Sequence, residues 1–515
     1  MNGAESLVRL ARAAGVEVCF ANPGTTEMPL VTALDTAPGI RAILGLFEGV
    51  CTGAADGYGR MADRPALTLL HLGPGFANGI ANLHNARRAR SPVVNLVGDH
   101  ASWHLAHDAP LSSDIVSLAQ PVSAWVRTTR ASKDLAEDFA EALAAASRAP
   151  GQVATLIVPA DCQWEAAGPP PPAKPVAAAP RVESARVEAI AERLRASSAP
   201  ALLLGARAPR PEGLRAAARI AAATGARLLC PTFPARLARG AGLPRLERLP
   251  YFPEQAIESL ASIDALVLAG AGPPVSFFGY PGVPSRLEAP GSLATLAEAD
   301  EDAVAALEDL SAALGAPRRP PLPEPSRPEP PSGPLSPATL GAALALHQPE
   351  GAIVVDEGAT SGLPYFLAAE GAPPHDYLAL TGGAIGQGLP CATGAAVACP
   401  DRKVIALQAD GSGLYTLQAL WTQAREKLDV VTLLCANRAY RILQVELARA
   451  GVSEPGPVAR ALTDLSDPAI EWTAIARGMG VPAARVDTTE DLRAQLDVAF
   501  REPGPRFIEV ALWGA

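Results

Sequence analysis

Val404-Ile405-Ala406-Leu407, closely followed by Ala409-Asp410-Gly411-Ser412, decides the fold of this chain. A second apolar run, Val430-Val431-Thr432-Leu433-Leu434, ends just before Asn437. Between them, Leu414 to Lys427 reads as a helix, with Leu417, Leu420, Trp421 and Ala424 along one face. A strand–helix–strand unit crosses over right-handed, so its two strands are parallel. Asp410 and Asn437 then share the carboxyl edge of the sheet, where open α/β sheets bind ligands. One carboxylate and one amide oxygen, beside a glycine turn that feeds a helix N-terminus, suit Mg²⁺ holding a diphosphate.

The rest of the chain bounds this reading. Its 515 residues predict about three domains by length. With 49% apolar and 19% charged residues it is globular, and no apolar run is long enough to span a bilayer. The start, Met1-Asn2-Gly3-Ala4-Glu5, leads into an amphipathic helix without a basic-then-apolar signal region, which predicts a cytoplasmic protein. Seven cysteines stand singly with no CxxC, the pattern of reduced core thiols rather than a disulfide framework or zinc cluster. A net charge of −10 argues against a nucleic-acid surface.

Proline marks the boundaries. Gly168-Pro169-Pro170-Pro171-Pro172-Ala173-Lys174-Pro175 and the stretch from Pro317 to Pro337 enter neither helix nor central sheet and act as connectors. They divide the chain into 1–166, 180–316 and 337–515, each alternating short apolar strands with helical patterns. The expected fold class is α/β, with three doubly wound parallel-sheet domains. In the first, strand-like runs end at Phe20, Leu46, Leu70 and Val97, which brings the residues after them to one edge.

The Asp410 and Asn437 segments resemble the metal–diphosphate motif of thiamine-diphosphate (ThDP) enzymes, usually Gly-Asp-Gly followed by Asn-Asn. Ala409 replaces the first Gly and Ala436 the first Asn, while the ligand-bearing positions remain. The resemblance implies that Asp410, Asn437 and the Ala439 carbonyl bind Mg²⁺, with Gly411 and Ser412 in the diphosphate turn. Three α/β domains with this motif in the third are similar to the pyruvate-oxidase-like ThDP family. There the N-terminal domain binds the aminopyrimidine, the middle one is structural and the C-terminal one binds the diphosphate. The likeness covers essentially the whole chain and is weakest in the middle.

Other matches follow from that resemblance. Phe47-Glu48-Gly49 lies in apolar surroundings and opens a helix from Gly49 to Met61. Taken alone, Glu48 is an acid stabilised at a helix N-terminus. By resemblance it is the glutamate that shares a proton with N1′ of the aminopyrimidine, a role that apolar burial assists. Gly382-Gly383-Ala384-Ile385-Gly386-Gln387-Gly388-Leu389-Pro390 resembles the family segment touching that ring. Ile385 matches the side chain wedged under the bent cofactor, and the Gly383 carbonyl accepts from the 4′-amino group. Asp356-Glu357-Gly358-Ala359-Thr360-Ser361 resembles a diphosphate-contacting loop with Thr360 foremost, although an N-cap hydroxyl explains Thr360 equally.

For substrate contacts, His71 before Gly73-Pro74-Gly75 resembles an active-site histidine of benzoylformate decarboxylase, whereas the glycine loop resembles acetolactate synthase. Thr25 takes the place of a substrate-contacting Ser, or is simply a turn hydroxyl, and His107 aligns loosely with a substrate-binding His pair. His100, His104 and His107 have helix-face spacing, but no carboxylate or cysteine pattern completes a zinc site. Around Ser412 the serine-hydrolase elbow fails, and Leu204-Gly205-Ala206-Arg207 and Ala269-Gly270-Ala271-Gly272 are only fragments of a dinucleotide fingerprint. FAD therefore stays open.

The resulting expectation is ThDP- and Mg²⁺-dependent decarboxylation of a 2-oxo acid, leaning toward acetolactate-synthase-like carboligation. Release of an aldehyde is the alternative, and a non-catalytic subunit the third. The family resemblance further implies a homodimer or homotetramer, with Glu48 from one subunit and Asp410 from the other in each site.

Overall fold

The computed structural model describes residues 1–36 and 38–512. Three sheets carry the apolar runs. The first comprises β1 (Val18–Asn22), β2 (Arg41–Leu44), β3 (Ala66–His71), β4 (Val93–Asp99), β5 (Trp125–Thr128) and β6 (Val153–Pro159), in the order β2-β1-β3-β4-β6-β5. Every pair in it is parallel, and the inner strands β4 and β6 are buried along their whole length, as strands covered on both faces must be.

The second sheet holds β7 (Pro200–Leu204), β8 (Arg227–Cys230), β10 (Glu247–Arg248), β11 (Ala265–Ala269) and β12 (Leu293–Ala297), ordered β10-β8-β7-β11-β12. The short strand β9 (Leu237–Arg239), which falls within 180–316, leaves this sheet and pairs antiparallel with β14 (His375–Ala379) of the third. Its Arg239 guanidinium stacks 3.6 Å over the Phe366 ring and donates to the Phe366 carbonyl, which anchors the strand there. The all-parallel expectation is corrected at that one edge. The third sheet adds β13 (Ile353–Glu357), β15 (Val404–Ala409), β16 (Val430–Ala436), β17 (Ala483–Val486) and β18 (Arg506–Ala511), in the order β17-β18-β16-β15-β13-β14-β9.

The helix expected over Leu414 to Lys427 is shorter. A turn of helix, Asp410–Gly413, is followed by a bend, and the helix proper is Ala419–Arg425. The Thr416 hydroxyl donates to the Gly386 carbonyl and holds the bend away from helical continuation. Residues 167–183 and 320–332 have no regular secondary structure.

In each sheet the chain builds outward on one side and then returns to the other. This topological reversal lies between β1 and β3, between β7 and β11, and between β13 and β15. Loops leaving such neighbouring strands part, and the crevice between them is where α/β sheets take ligands.

The domains are packed tightly. Helix Glu48–Ala62 crosses helix Gly388–Ala398 so closely that a side chain on Gly57 would strike the Cys391 carbonyl, and one on Gly394 the Ala54 carbonyl. Arg60, buried beside Asp56, donates to both Asp56 carboxylate oxygens, to the Ala235 and Ala379 carbonyls and to the Thr381 hydroxyl, so one guanidinium touches all three domains. Among the described residues no helix is long and apolar enough to cross a membrane. The seven cysteines are free thiols.

Candidate active site

At the reversal of the third sheet, Asp410 follows β15 and is buried. Its Oδ1 accepts from the Gly411 N–H at 2.8 Å, and its Oδ2 from the N–H groups of Asn437 (3.0 Å) and Arg438 (2.6 Å). Arg438 has φ 57°, a left-handed conformation that turns two successive amides onto one oxygen. Burial pushes the Asp410 carboxyl above its usual value, against the backbone N–H groups of Arg438, Gly411 and Asn437, which lower it. Asn437 Oδ1 accepts from the Ala439 N–H at 2.9 Å. A buried carboxylate whose hydrogen-bond donors are all neutral, with the Asn437 amide oxygen in the adjoining turn, is a hard-oxygen donor set that fits Mg²⁺.

The altered residues do not disturb this turn. Ala409 has φ −85° and ψ 151°, extended backbone that needs no glycine, and Ala436 ends β16 inside the sheet. Gly411 is the position without room, since the Tyr440 ring lies against it. The Ser412 hydroxyl faces inward, donating to the Ala409 carbonyl and accepting from Gln408 Nε2 at 2.6 Å.

The segment 382–388 meets the same crevice. Gly383 and Gly386 take φ of 75° and 95°, which a side chain would strain. Ile385 between them is half-buried. The N-terminal domain grips this loop: His84 Nε2 donates to the Gly382 carbonyl, Asn85 pairs with the backbone of Ala384, and Asn82 Nδ2 bridges the carbonyls of Gly49 and Gly386. Gln387 Nε2 donates to Asp56. From the other side the buried Glu357 carboxylate accepts the N–H groups of Gly386, Gln387 and Gly388. Thr360 stands exposed in the turn Ala359–Ser361.

At the reversal of the first sheet, His71 ends β3 and its Nδ1 lies 2.8 Å from Glu27 Oε2, with Thr26 Oγ1 at 3.3 Å. Glu27 is fully buried, and it also accepts from the Gly24 N–H and the Thr26 hydroxyl. Gly98 leaves the space that the Glu27 carboxylate fills. Glu48 starts its helix and accepts from Asn78 Nδ2 at 3.0 Å. The apolar burial expected for it is not provided within the chain: Glu48 is half-buried and Leu46 exposed, because β2 is the edge strand of its sheet. A side chain on Gly75 would meet Glu48 Oε1 at 3.1 Å and the His71 Cβ at 3.4 Å, so the two residues flank this glycine.

The structure thus joins Glu48 to His71 across Gly75, and Asp410 to Asn437, whose amide oxygen accepts from the Ala439 N–H, with Asn82 connecting the Glu48 helix to the Ile385 loop. Thr25 and His107 lie at exposed positions, and it is the neighbouring Thr26 that reaches His71. The His100, His104 and His107 rings follow one another at 5.4 and 5.7 Å, yet no group of three or more His, Cys, Asp or Glu among the described residues is disposed to hold a metal. Glu27, Glu357 and Gln408 were not singled out from sequence. Gln408 carried a signal, a polar residue late in an apolar strand, whereas the backbone partners of Glu357 lie about thirty residues away and left none.

At the reversal of the middle sheet, Gly205 after β7 and Gly270 after β11 pack backbone to backbone. A side chain on Gly205 would lie 2.8 Å from the Gly270 carbonyl, and one on Gly270 at 2.8 Å from the Gly205 carbonyl. The two loops leaving these strands are thus in direct backbone contact at the reversal.

Residues 1–118 match the family described as thiamine pyrophosphate enzyme, N-terminal TPP binding domain, and residues 363–510 its C-terminal TPP binding domain. The chain is 53% identical over 521 residues to a Mycobacterium tuberculosis protein described as "Putative acetolactate synthase large subunit IlvX", covering 99% of both chains. It is 31% identical over 544 residues to benzoylformate decarboxylase of Pseudomonas aeruginosa, covering 97% of both. Its fold is similar to that of Rhodococcus jostii thiamine diphosphate-dependent 4-hydroxybenzoylformate decarboxylase, with a TM-score of 0.87 at 25% identity over 100% of this chain and 99% of that one.

Proposed function

The chain belongs to the thiamine pyrophosphate enzyme family, and we propose that it decarboxylates a 2-oxo acid with ThDP and Mg²⁺ and releases the aldehyde. The observation that carries this reading is the His71–Glu27 pair set beside Glu48 across Gly75. Decarboxylation to an aldehyde consumes one proton at the carbon that loses CO₂, and a histidine held by a buried carboxylate is suited to deliver it.

Bound ThDP supplies the carbon nucleophile and the electron sink. The chain does the rest. Asp410, Asn437 and the Ala439 carbonyl would hold Mg²⁺, and Gly411 and Ser412 would form the diphosphate turn. Thr360 stands at the rim of the same crevice. Ile385 and the Gly383 carbonyl would hold the ring end of the cofactor, and Glu48 would hold the proton at its ring nitrogen. His71 donates at the reacting carbon, while Thr25, Thr26 and His107 bound the substrate side. Holding the reacting groups together contributes several kcal/mol of the barrier, about 7–11 in favourable cases.

The lean toward carboligation rested on Gly73-Pro74-Gly75. Gly75 has a role independent of any acceptor, since its missing side chain leaves room for the Glu48 carboxylate. Carboligation remains the second reading, favoured by the 53% identity to a relative described as an acetolactate synthase large subunit. Against a non-catalytic subunit stands the extended backbone at Ala409, which leaves the turn intact. FAD is left out of this proposal, a choice that the close backbone contact of Gly205 with Gly270 supports.

The reading extends to a cytoplasmic homodimer or homotetramer in which Glu48 and Asp410 of each site come from different subunits. Exposed Leu46 beside Glu48 and exposed Tyr415 beyond the Asp410 turn support a covering partner. The test is CO₂ release with ThDP and Mg²⁺ from pyruvate, 2-oxobutyrate, phenylpyruvate and benzoylformate, with products identified. Aldehyde supports the first reading and acyloin the second. Bound ThDP with no turnover of any substrate returns the choice to a non-catalytic subunit.

A further inference from the structure

The metal–diphosphate turn and the Ile385 loop meet at one buried contact. Glu357 ends β13, Gln408 is the last residue but one of β15, and they stand directly opposite each other across the reversal of the third sheet. Gln408 Nε2 donates to Glu357 Oε2 at 2.9 Å and to Ser412 Oγ at 2.6 Å. Glu357 in turn holds the N–H groups of Gly386 and Gly388 at 2.6 Å each and of Gln387 at 3.3 Å. Both side chains are buried, and Gln408 Oε1 has no partner, so the amide is committed to its donor side.

We propose that Glu357 and Gln408 are positioning residues that make the diphosphate turn and the Ile385 loop one hydrogen-bonded unit, so that filling the turn fixes the loop. The inference rests on the reading of these two segments as the ThDP seat. A buried carboxylate without a cationic hydrogen-bond partner is costly, and a buried amide oxygen left unpaired adds to the cost. Apolar residues at the ends of these strands would serve the sheet alone, as Leu407 does in the preceding position. What the polar pair adds is the connection from Ser412 through Gln408 and Glu357 to Gly386 and Gly388. Thr416 supplies a tie of a different kind, from beyond the turn to the Gly386 carbonyl.

The experiment uses Gln408→Leu in the full-length protein, with Ser412→Ala breaking the same connection from its other end by a smaller change. Calorimetry with Mg²⁺ plus inorganic pyrophosphate reads the turn alone, and with Mg²⁺ plus ThDP the turn and loop together. Hydrogen exchange reads the amides of Gly386 and Gly388. In the wild type, pyrophosphate alone should slow exchange at the loop. In both variants that slowing should vanish, and the ratio of ThDP to pyrophosphate affinity should fall, about tenfold in Gln408→Leu, the scale of a lost hydrogen bond to a charged group, and less in Ser412→Ala, where the lost bond is between neutral groups. A role confined to folding would weaken both ligands together and leave the ratio unchanged. Equal slowing in wild type and variants, or an unchanged ratio, overturns the proposal while the ThDP reading stands. If the wild type binds neither ligand, the ThDP reading falls and the proposal with it.

Discussion

His71 Nδ1 lies 2.8 Å from Oε2 of Glu27, a carboxylate fully removed from solvent. The pair spans β3 and the turn after β1, the two strands between which the first sheet reverses. A buried carboxylate that accepts from a ring N–H fixes the tautomer and the direction of the opposite nitrogen.

Glu27→Gln should therefore slow aldehyde formation by about 10²-fold while ThDP affinity stays within about twofold, the range expected when a proton donor loses its orienting partner. His71→Ala should slow it as much and shift the remaining product toward acyloin. Product analysis on the preferred substrate checks both, and undiminished aldehyde from either variant removes the assigned proton donor.

Glu48→Gln should bind ThDP nearly as the wild type does, yet turn over about 10²-fold more slowly or worse. Calorimetry alongside steady-state rates separates the two effects. Retained turnover would show that the Glu48 carboxylate holds no essential proton.

The site is pH-sensitive through Asp410. Burial raises its folded pKa, so the folded apoprotein keeps this proton to higher pH than the unfolded chain does. Stability from this group is present below the ordinary carboxylate pKa of about 4 and lost as pH rises through the raised folded value. Mg²⁺ requires the carboxylate. The Tm increase produced by Mg²⁺ plus ThDP should accordingly shrink as pH falls through that raised value, with proton release on binding. Asp410→Asn should abolish the Mg²⁺-dependent part of the shift at all pH.

Arg60 should be costly to remove. Truncating one member of a buried ion pair leaves the other charge unpaired, a loss of about 3–5 kcal/mol. Arg60→Ala exposes Asp56 to that penalty and also frees the carbonyls of Ala235 and Ala379. Chemical denaturation should register the loss, and limited proteolysis should cut sooner within 320–332, where the chain has no regular structure.

What could be read from sequence follows from the range of each interaction. The runs Val404–Leu407 and Val430–Leu434 became β15 and β16, and Asp410 and Asn437 met at their ends, because apolar strands and a right-handed crossover are local rules. The helix over Leu414–Lys427 was overdrawn because the Thr416 hydroxyl answers to Gly386, thirty residues earlier. The antiparallel edge made by Leu237–Arg239 depends on Phe366, more distant still. Glu27 lies only two residues after Thr25, but its role appears only once β1 and β3 are neighbours.

The purified protein should show no flavin absorbance, and added FAD should produce no change in its fluorescence on mixing.

Those two glycines impose a constraint of their own. Each sits where the other's backbone leaves no space for a methyl group, and Gly270 has φ 70° besides. Selection for packing alone will preserve them, at the end of a strand and in the position of a nucleotide fingerprint. Invariance at 205 and 270 among relatives of this chain would therefore follow from the fit of two loops, without any coenzyme being needed to account for it.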